Sequence, residues 1–132
     1  DDNERGIIIS TASVAAFEGQ LGQAAYAASK GGVIALTKSM AVQLGRDNVR
    51  VNCIAPGHIY TPMVGGKMTS EMRSKRRTAG PLGTEGTAWD IAWANVFLAS
   101  DESRWISGIT MPIDAGLLAA TPLSVYDGIR SE

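Results

Sequence analysis

The sequence has one cysteine, one histidine and no long apolar run, and each shortage removes a class of function. Cys53 alone forms no internal disulfide, which points to a reducing setting such as the cytoplasm. Cys53 and His58, without ligand-like spacing, leave metal catalysis without a donor set. The apolar stretches fall far short of the ~20 residues that span a bilayer. No basic segment followed by an apolar one opens the chain, as a secretion signal would. Twelve Lys and Arg nearly balance 13 Asp and Glu, so the net charge of −1 gives no pull towards nucleic acid or an anionic membrane. A Gly-x-Gly-x-x-Gly turn is missing too: Gly31-Gly32 falls in a helical stretch and Gly65-Gly66 in an irregular one.

What is present is the composition of a soluble globular chain, 45% apolar and 19% charged, with 132 residues to build one core. Gly6-Ile7-Ile8-Ile9 is a β-branched run without alternation, the pattern of a parallel strand buried on both faces. Residues 14–23 read as a loop. A helix follows from Gln23 or Ala24 to about Leu44, with Val33, Leu36, Met40 and Leu44 in an apolar stripe, Gly45 as its stop and Arg46-Asp47-Asn48 turning the chain. Residues 49–54 form a second strand, broken by Pro56-Gly57. Residues 63–81 are irregular, rich in Met and basic side chains, with a short helix near 70–77. Thr87 and Asp90 read as the cap of a helix ending near Ala99, on which Trp89 and Trp93 serve packing or an interface. A third strand spans 109–113, and Asp114-Ala115-Gly116 turns into a tail, 117–132, broken at Thr121-Pro122. Strand, helix, strand, helix, strand predicts an α/β fold: a three-layer, Rossmann-like parallel sheet with right-handed crossovers, holding about half the strands of a dinucleotide-binding sheet.

The chemistry concentrates between Ser13 and Lys30. Tyr26 and Lys30, four apart, lie one helical turn from each other on one face. A free phenol titrates near ~10, and an ammonium beside it favours the oxyanion. Ser13 leaves the first strand towards the same cleft. A hydroxyl donor, a phenol and a cation are what proton transfer at an alcohol oxygen requires.

Ser13, Tyr26 and Lys30, followed by Asn52-Cys53-Ile54-Ala55-Pro56-Gly57-His58-Ile59-Tyr60-Thr61-Pro62, resemble the second half of the short-chain dehydrogenase/reductase family. The likeness covers residues 5–116. It implies NAD or NADP as coenzyme and a small secondary alcohol or ketone as substrate. Tyr26 would move the proton, Ser13 polarise the oxygen, and Lys30 favour the phenolate and bind the nicotinamide ribose. Pro56, Gly57, the backbone at Ile59 and the Thr61 hydroxyl would hold the carboxamide end. Tyr26 and Lys30 thus count as coenzyme contacts as well. Residues 63–81 correspond to a substrate lid. Residues 11–20 are similar to the type 2 3-hydroxyacyl-CoA dehydrogenases of that family, which implies that Gln20 and Gln23 either touch substrate or are two solvated amides on a surface loop; Met63, in the lid, is a further candidate substrate contact. The basic cluster between Lys67 and Arg77 either meets an anionic substrate such as a CoA thioester or is a solvated helix face. The 24–44 helix, thinned by Ala24, Ala25, Ala27, Ala28, Gly31 and Gly32, is a dimer contact in the family, so a homo-oligomer, dimer or tetramer, is expected. Two positions depart from the family: Ser10 replaces an Asn, and Ala115 replaces a Gly.

The family's amino-terminal half, with its Gly-rich turn, its coenzyme-selecting residue and a catalytic Asn, has no counterpart here. An isolated chain of this kind would expose an apolar strand edge, and is expected to associate or to need a partner carrying that half. The alternative is a catalytically silent fragment or scaffold subunit with the same fold, separated from an enzyme by coenzyme binding. A serine hydrolase is disfavoured, since no Gly-x-Ser-x-Gly elbow occurs.

Overall fold

A computed structural model of the protein describes residues 5–121; the tail beyond Thr121, with the break expected at Pro122, lies outside the described residues. Three strands, β1 (Gly6–Thr11), β2 (Val49–Pro56) and β3 (Thr110–Ile113), form a parallel sheet in that order. Gly6 pairs with Val49 through to Thr11 with Ile54, and Cys53 pairs with Thr110 through to Pro56 with Ile113. Parallel neighbours need crossovers, which are supplied by α1 (Ala24–Leu44) and α4 (Ala88–Ala99). Both helices contact β2. Two short helices, α2 (Pro62–Gly65) and α3 (Ser70–Ala79), lie between β2 and α4.

β2 sets the core. Its residues from Arg50 to Ala55 are all buried. Successive side chains of a strand point to opposite faces, so both faces of the sheet are covered there by helical layers. Val51, Ile54 and Leu98 have no exposed surface, each burial being a favourable term of roughly 1.5–3 kcal/mol. The polar side chains of β2 bond to the 98–109 segment through all but one group, the Arg50 Nε, which is buried without a hydrogen-bond partner among the described residues. Asn52 donates from Nδ2 to Ile106 O at 2.9 Å, while its Oδ1 accepts from Ile109 N at 3.2 Å. The Arg50 guanidinium donates to Leu98 O at 2.8 Å, Ile106 O at 3.2 Å and Ser100 O at 3.3 Å. A buried cation thus meets the carbonyl end of α4, where the helix dipole is negative. At the other end of α4, Asp90 and Thr87 close a capping box. Backbone and side-chain hydrogen bonds from Thr87 hold the Asp90 carboxyl below the usual range.

Several local expectations need correction. Residues 14–23 are not wholly irregular: Val14–Ala16 make a 3-10 turn capped by Ser13. Gly45 does end α1, as expected. It enters a 3-10 turn at φ −59°, and Asn48, at φ 59°, reverses the chain. β2 runs on to Pro56, where the ring's missing donor costs nothing because the ladder ends, and Gly57 N donates to Ile113 O at 2.9 Å. β3 begins at Thr110 rather than Ile109. On α1 the one buried side chain is Thr37, whose hydroxyl donates to Val33 O at 2.9 Å, whereas Leu36 of the expected apolar stripe is 56% exposed. Ala115 sits at φ 57°, a left-handed position that suits glycine.

Arg50→Met is expected to destabilise the fold by about 3 kcal/mol, because three carbonyls lose a charged donor. Urea unfolding should show the drop, while Arg46→Met on the exposed 3-10 turn leaves the midpoint within about 0.5 kcal/mol of the parent. Equal midpoints for the two variants would contradict the role given to Arg50.

Candidate active site

Parallel strands end at one edge, so the residues following Thr11, Pro56 and Ile113 share a rim. Ser13 leaves β1 in extended conformation, and its Oγ accepts from Ala15 N at 3.1 Å. One lone pair is thereby occupied, and the O–H remains a donor. Tyr26 and Lys30 come from the first two turns of α1. Lys30 Nζ donates to Thr11 O, the last carbonyl of β1, at 3.0 Å. The same nitrogen stands 5.7 Å from the centroid of the Tyr26 ring, within cation–π range. One strand end therefore carries Ser13 and anchors the cation beside Tyr26. Tyr26 itself is 45% exposed.

The loop after β2 is built on close approach. A Cβ at Gly57 would come within 2.7 Å of Asp114 Cα, so no other residue fits there. Ile59 N donates to Gly57 O at 2.9 Å, closing a three-residue turn; this amide is engaged within the loop. Tyr60 N donates to Gly86 O at 2.9 Å, beside a bridge between Ile59 and Gly86. Thr61 caps α2 through its carbonyl, and its hydroxyl makes no cap bond.

The residues expected to touch substrate are less organised. Gln20 donates from Nε2 to Glu18 Oε1 at 2.5 Å, and Gln23 heads α1 without a side-chain cap bond. Met63 is 92% exposed. A cavity of about 200 Å³ is lined by His58, Ile59, Arg76, Glu85, Asp90 and Asp114 among others, and by none of Ser13, Tyr26 or Lys30. Tyr26 stands instead on open surface, and Ser13 and Lys30 are half-buried.

Two arrangements around the loop carry no spacing signal in the sequence. His58 Nδ1 lies 3.3 Å from Arg76 O in the last turn of α3. Arg73 donates through Nε to Glu85 Oε1 at 2.6 Å and pairs its second arm with Oε2. That hydrogen-bonded pairing holds the Glu85 carboxyl below its ordinary range. Twelve residues and an irregular turn separate the partners, so no periodicity links them. Among the described residues, no group of His, Cys, Asp and Glu is arranged to hold a metal ion, and no helix is long and apolar enough to cross a membrane.

Comparison with known proteins decides the kinship. The family model described as enoyl-(acyl carrier protein) reductase matches residues 2–118. The chain belongs to the short-chain dehydrogenase/reductase family. Among dehydrogenase/reductase relatives, the 3-oxoacyl-(acyl-carrier-protein) reductase FabG of Thermotoga maritima is 43% identical over 113 residues, 86% of this chain and 46% of that protein. The (3R)-3-hydroxyacyl-CoA dehydrogenase of Rattus norvegicus is 42% identical over 113 residues, 86% of this chain and 43% of its own length. A solved structure, 4-hydroxyisoleucine dehydrogenase complexed with NADH, superposes with a TM-score of 0.84 at 36% identity, covering 89% of this chain and 49% of that one. The chain thus spans a little under half the length of the curated relatives it matches.

In this dehydrogenase/reductase chain Ser13 has a structural duty separable from chemistry. Ser13→Ala removes the cap on Ala15 N and is expected to lower stability by about 1 kcal/mol, with Ser13→Thr retaining most of it. Thermal unfolding of the two variants checks this. An alanine variant as stable as the parent would show that the cap contributes nothing.

Proposed function

We propose that this chain is the carboxyl-terminal part of an NAD(P)-dependent oxidoreductase that interconverts a secondary alcohol and a ketone, with Tyr26 as acid/base. The observation that carries the reading is the anchoring of Lys30 on Thr11 O, 3.0 Å away, beside the Tyr26 ring and on the strand that delivers Ser13. A phenol exchanges the proton of the substrate oxygen through Oη. The Ser13 hydroxyl, held by Ala15 N as acceptor, donates to that same oxygen. The Lys30 cation offsets the negative charge left on the phenol after the proton has gone.

The donor set fits the nicotinamide end of the coenzyme, which supplies or takes the hydride when bound. An ammonium has three donors and Thr11 O uses one, so Lys30 retains two for a ribose diol. The Thr61 hydroxyl, unused as a cap, suits the carboxamide. The Ile59 amide would have to exchange its Gly57 partner to join it. Pro56 and Gly57 set the path of this loop. For the pyrophosphate end these residues hold no Gly-rich turn, and we assign that grip to an amino-terminal half. That half, and a second copy in a dimer or tetramer, would also cover Leu36 and Val42 of α1, 56% and 85% exposed.

The basic side of α3 gives little support to an anionic substrate. Arg73 pairs with Glu85, and Lys75 with Glu71 at 2.7 Å, so half of the cluster's helix charges are already matched. A hydrolase reading finds no support either, since the one histidine is turned to Arg76 O.

Tyr26→Phe in the full-length protein is expected to lower kcat by roughly 10²–10⁴-fold, with far-UV circular dichroism unchanged. Turnover of an alcohol or ketone at the parental rate in that variant would refute Tyr26 as the acid/base.

A further inference from the structure

Tyr60 stands between the two positions assigned to the carboxamide, Ile59 and Thr61. The Arg73 guanidinium lies over that ring, its Cζ 3.8 Å from the centroid. This distance is that of direct stacking, which a planar guanidinium does well and an ammonium does not. The same guanidinium is forked onto Glu85 through Nε and its second arm. Glu85 precedes Gly86, whose carbonyl receives the Tyr60 amide. The circuit is closed: Tyr60 to Arg73 by stacking, Arg73 to Glu85 by charge, and the 85–86 strap back to Tyr60 by backbone. Around the ring the space is also taken. A Cβ at Gly65 of α2 would lie 2.9 Å from the Tyr60 hydroxyl. One helical turn on, at Arg76, α3 meets the loop again through His58.

We propose that Arg73, stacked on Tyr60 and paired with Glu85, is a positioning residue that couples the α3 helix to the 57–61 loop, so that the two move as one body. Resting on the reading of this loop as a coenzyme contact and of α3 as part of a substrate lid, the coupling links coenzyme occupancy to lid position. Arg73 touches neither substrate nor coenzyme in this role. Its effect passes through the backbone around Ile59 and Thr61.

Hydrogen exchange on the full-length protein without ligands tests the coupling by itself. Arg73→Ala is expected to speed exchange of the α3 amides and of the Tyr60 amide together, by about fivefold, the size lost with an exposed ion pair and a stacked cation. Tyr60→Leu should do the same, Tyr60→Phe should leave both segments as they were, and Arg73→Lys should restore little. The double variant Tyr60→Leu/Arg73→Ala should be no looser than Arg73→Ala alone, since the stacking that Tyr60→Leu removes is already lost in it. Faster exchange in α3 with an unaltered Tyr60 amide, or no change in either, overturns the coupling. In the active enzyme Arg73→Ala should raise the KM for coenzyme and for substrate roughly fivefold while kcat moves less than about twofold. Loosened segments with unchanged KM values would overturn the link to function. A parent protein that binds no coenzyme would refute the dehydrogenase reading alone, and the exchange measurements would still decide the coupling.

Discussion

Six consecutive buried residues in the middle strand constrain everything around them. A strand buried on both faces needs a helix layer on each side and a neighbour along each edge. β1 and β3 provide the neighbours, α1 and α4 the cover. Because all three strands run the same way, their carbonyl ends meet on one rim, and the candidate site is drawn from the loops leaving that rim and the first turns of α1. The anchoring of Lys30 on Thr11 O is a direct product of this geometry: an open carbonyl at a strand end meets a long side chain from the following helix. Arg50 and Asn52 are the polar cost of so deep a strand: the segment that returns to β3 matches Asn52 and the two terminal nitrogens of Arg50, and leaves the Arg50 Nε unbonded.

Much of this was legible in the residues. Unbroken Ile-Ile-Ile and Val-Arg-Val-Asn-Cys-Ile runs announce buried parallel strands, and Thr87 with Asp90 announces the start of α4. The Tyr26 and Lys30 spacing, with Ser13, locates the candidate site. What failed was whatever depends on contacts distant in sequence. Thr37, not Leu36, is buried on α1, because a hydroxyl satisfied inside its own helix is free to face the sheet. The pairing of Arg73 with Glu85, and the Arg50 cap on α4, join residues with no shared period.

Among the described residues β1 has one strand neighbour, β2, and Ile7 is 38% exposed. Together with the exposed apolar side chains of α1, this edge marks where the fold is unfinished in these residues. It also explains why Tyr26 stands on open surface while the enclosed cavity lies elsewhere, behind the 57–61 loop's contacts with α3. Under the proposed function Tyr26 needs a sheltered cleft, and that proposal assigns the shelter to the part of the relatives' length that this chain does not span.

The central claim is that the rim at Thr11 and Lys30 receives the ribose end of a nicotinamide coenzyme. A fluorescence titration of the full-length protein and of its Lys30→Met variant with NADH and NADPH measures this most directly. The account predicts saturable binding of one coenzyme by the parent and an affinity about tenfold or more weaker in the variant, which lacks the charged donor. Equal binding by both proteins would contradict it.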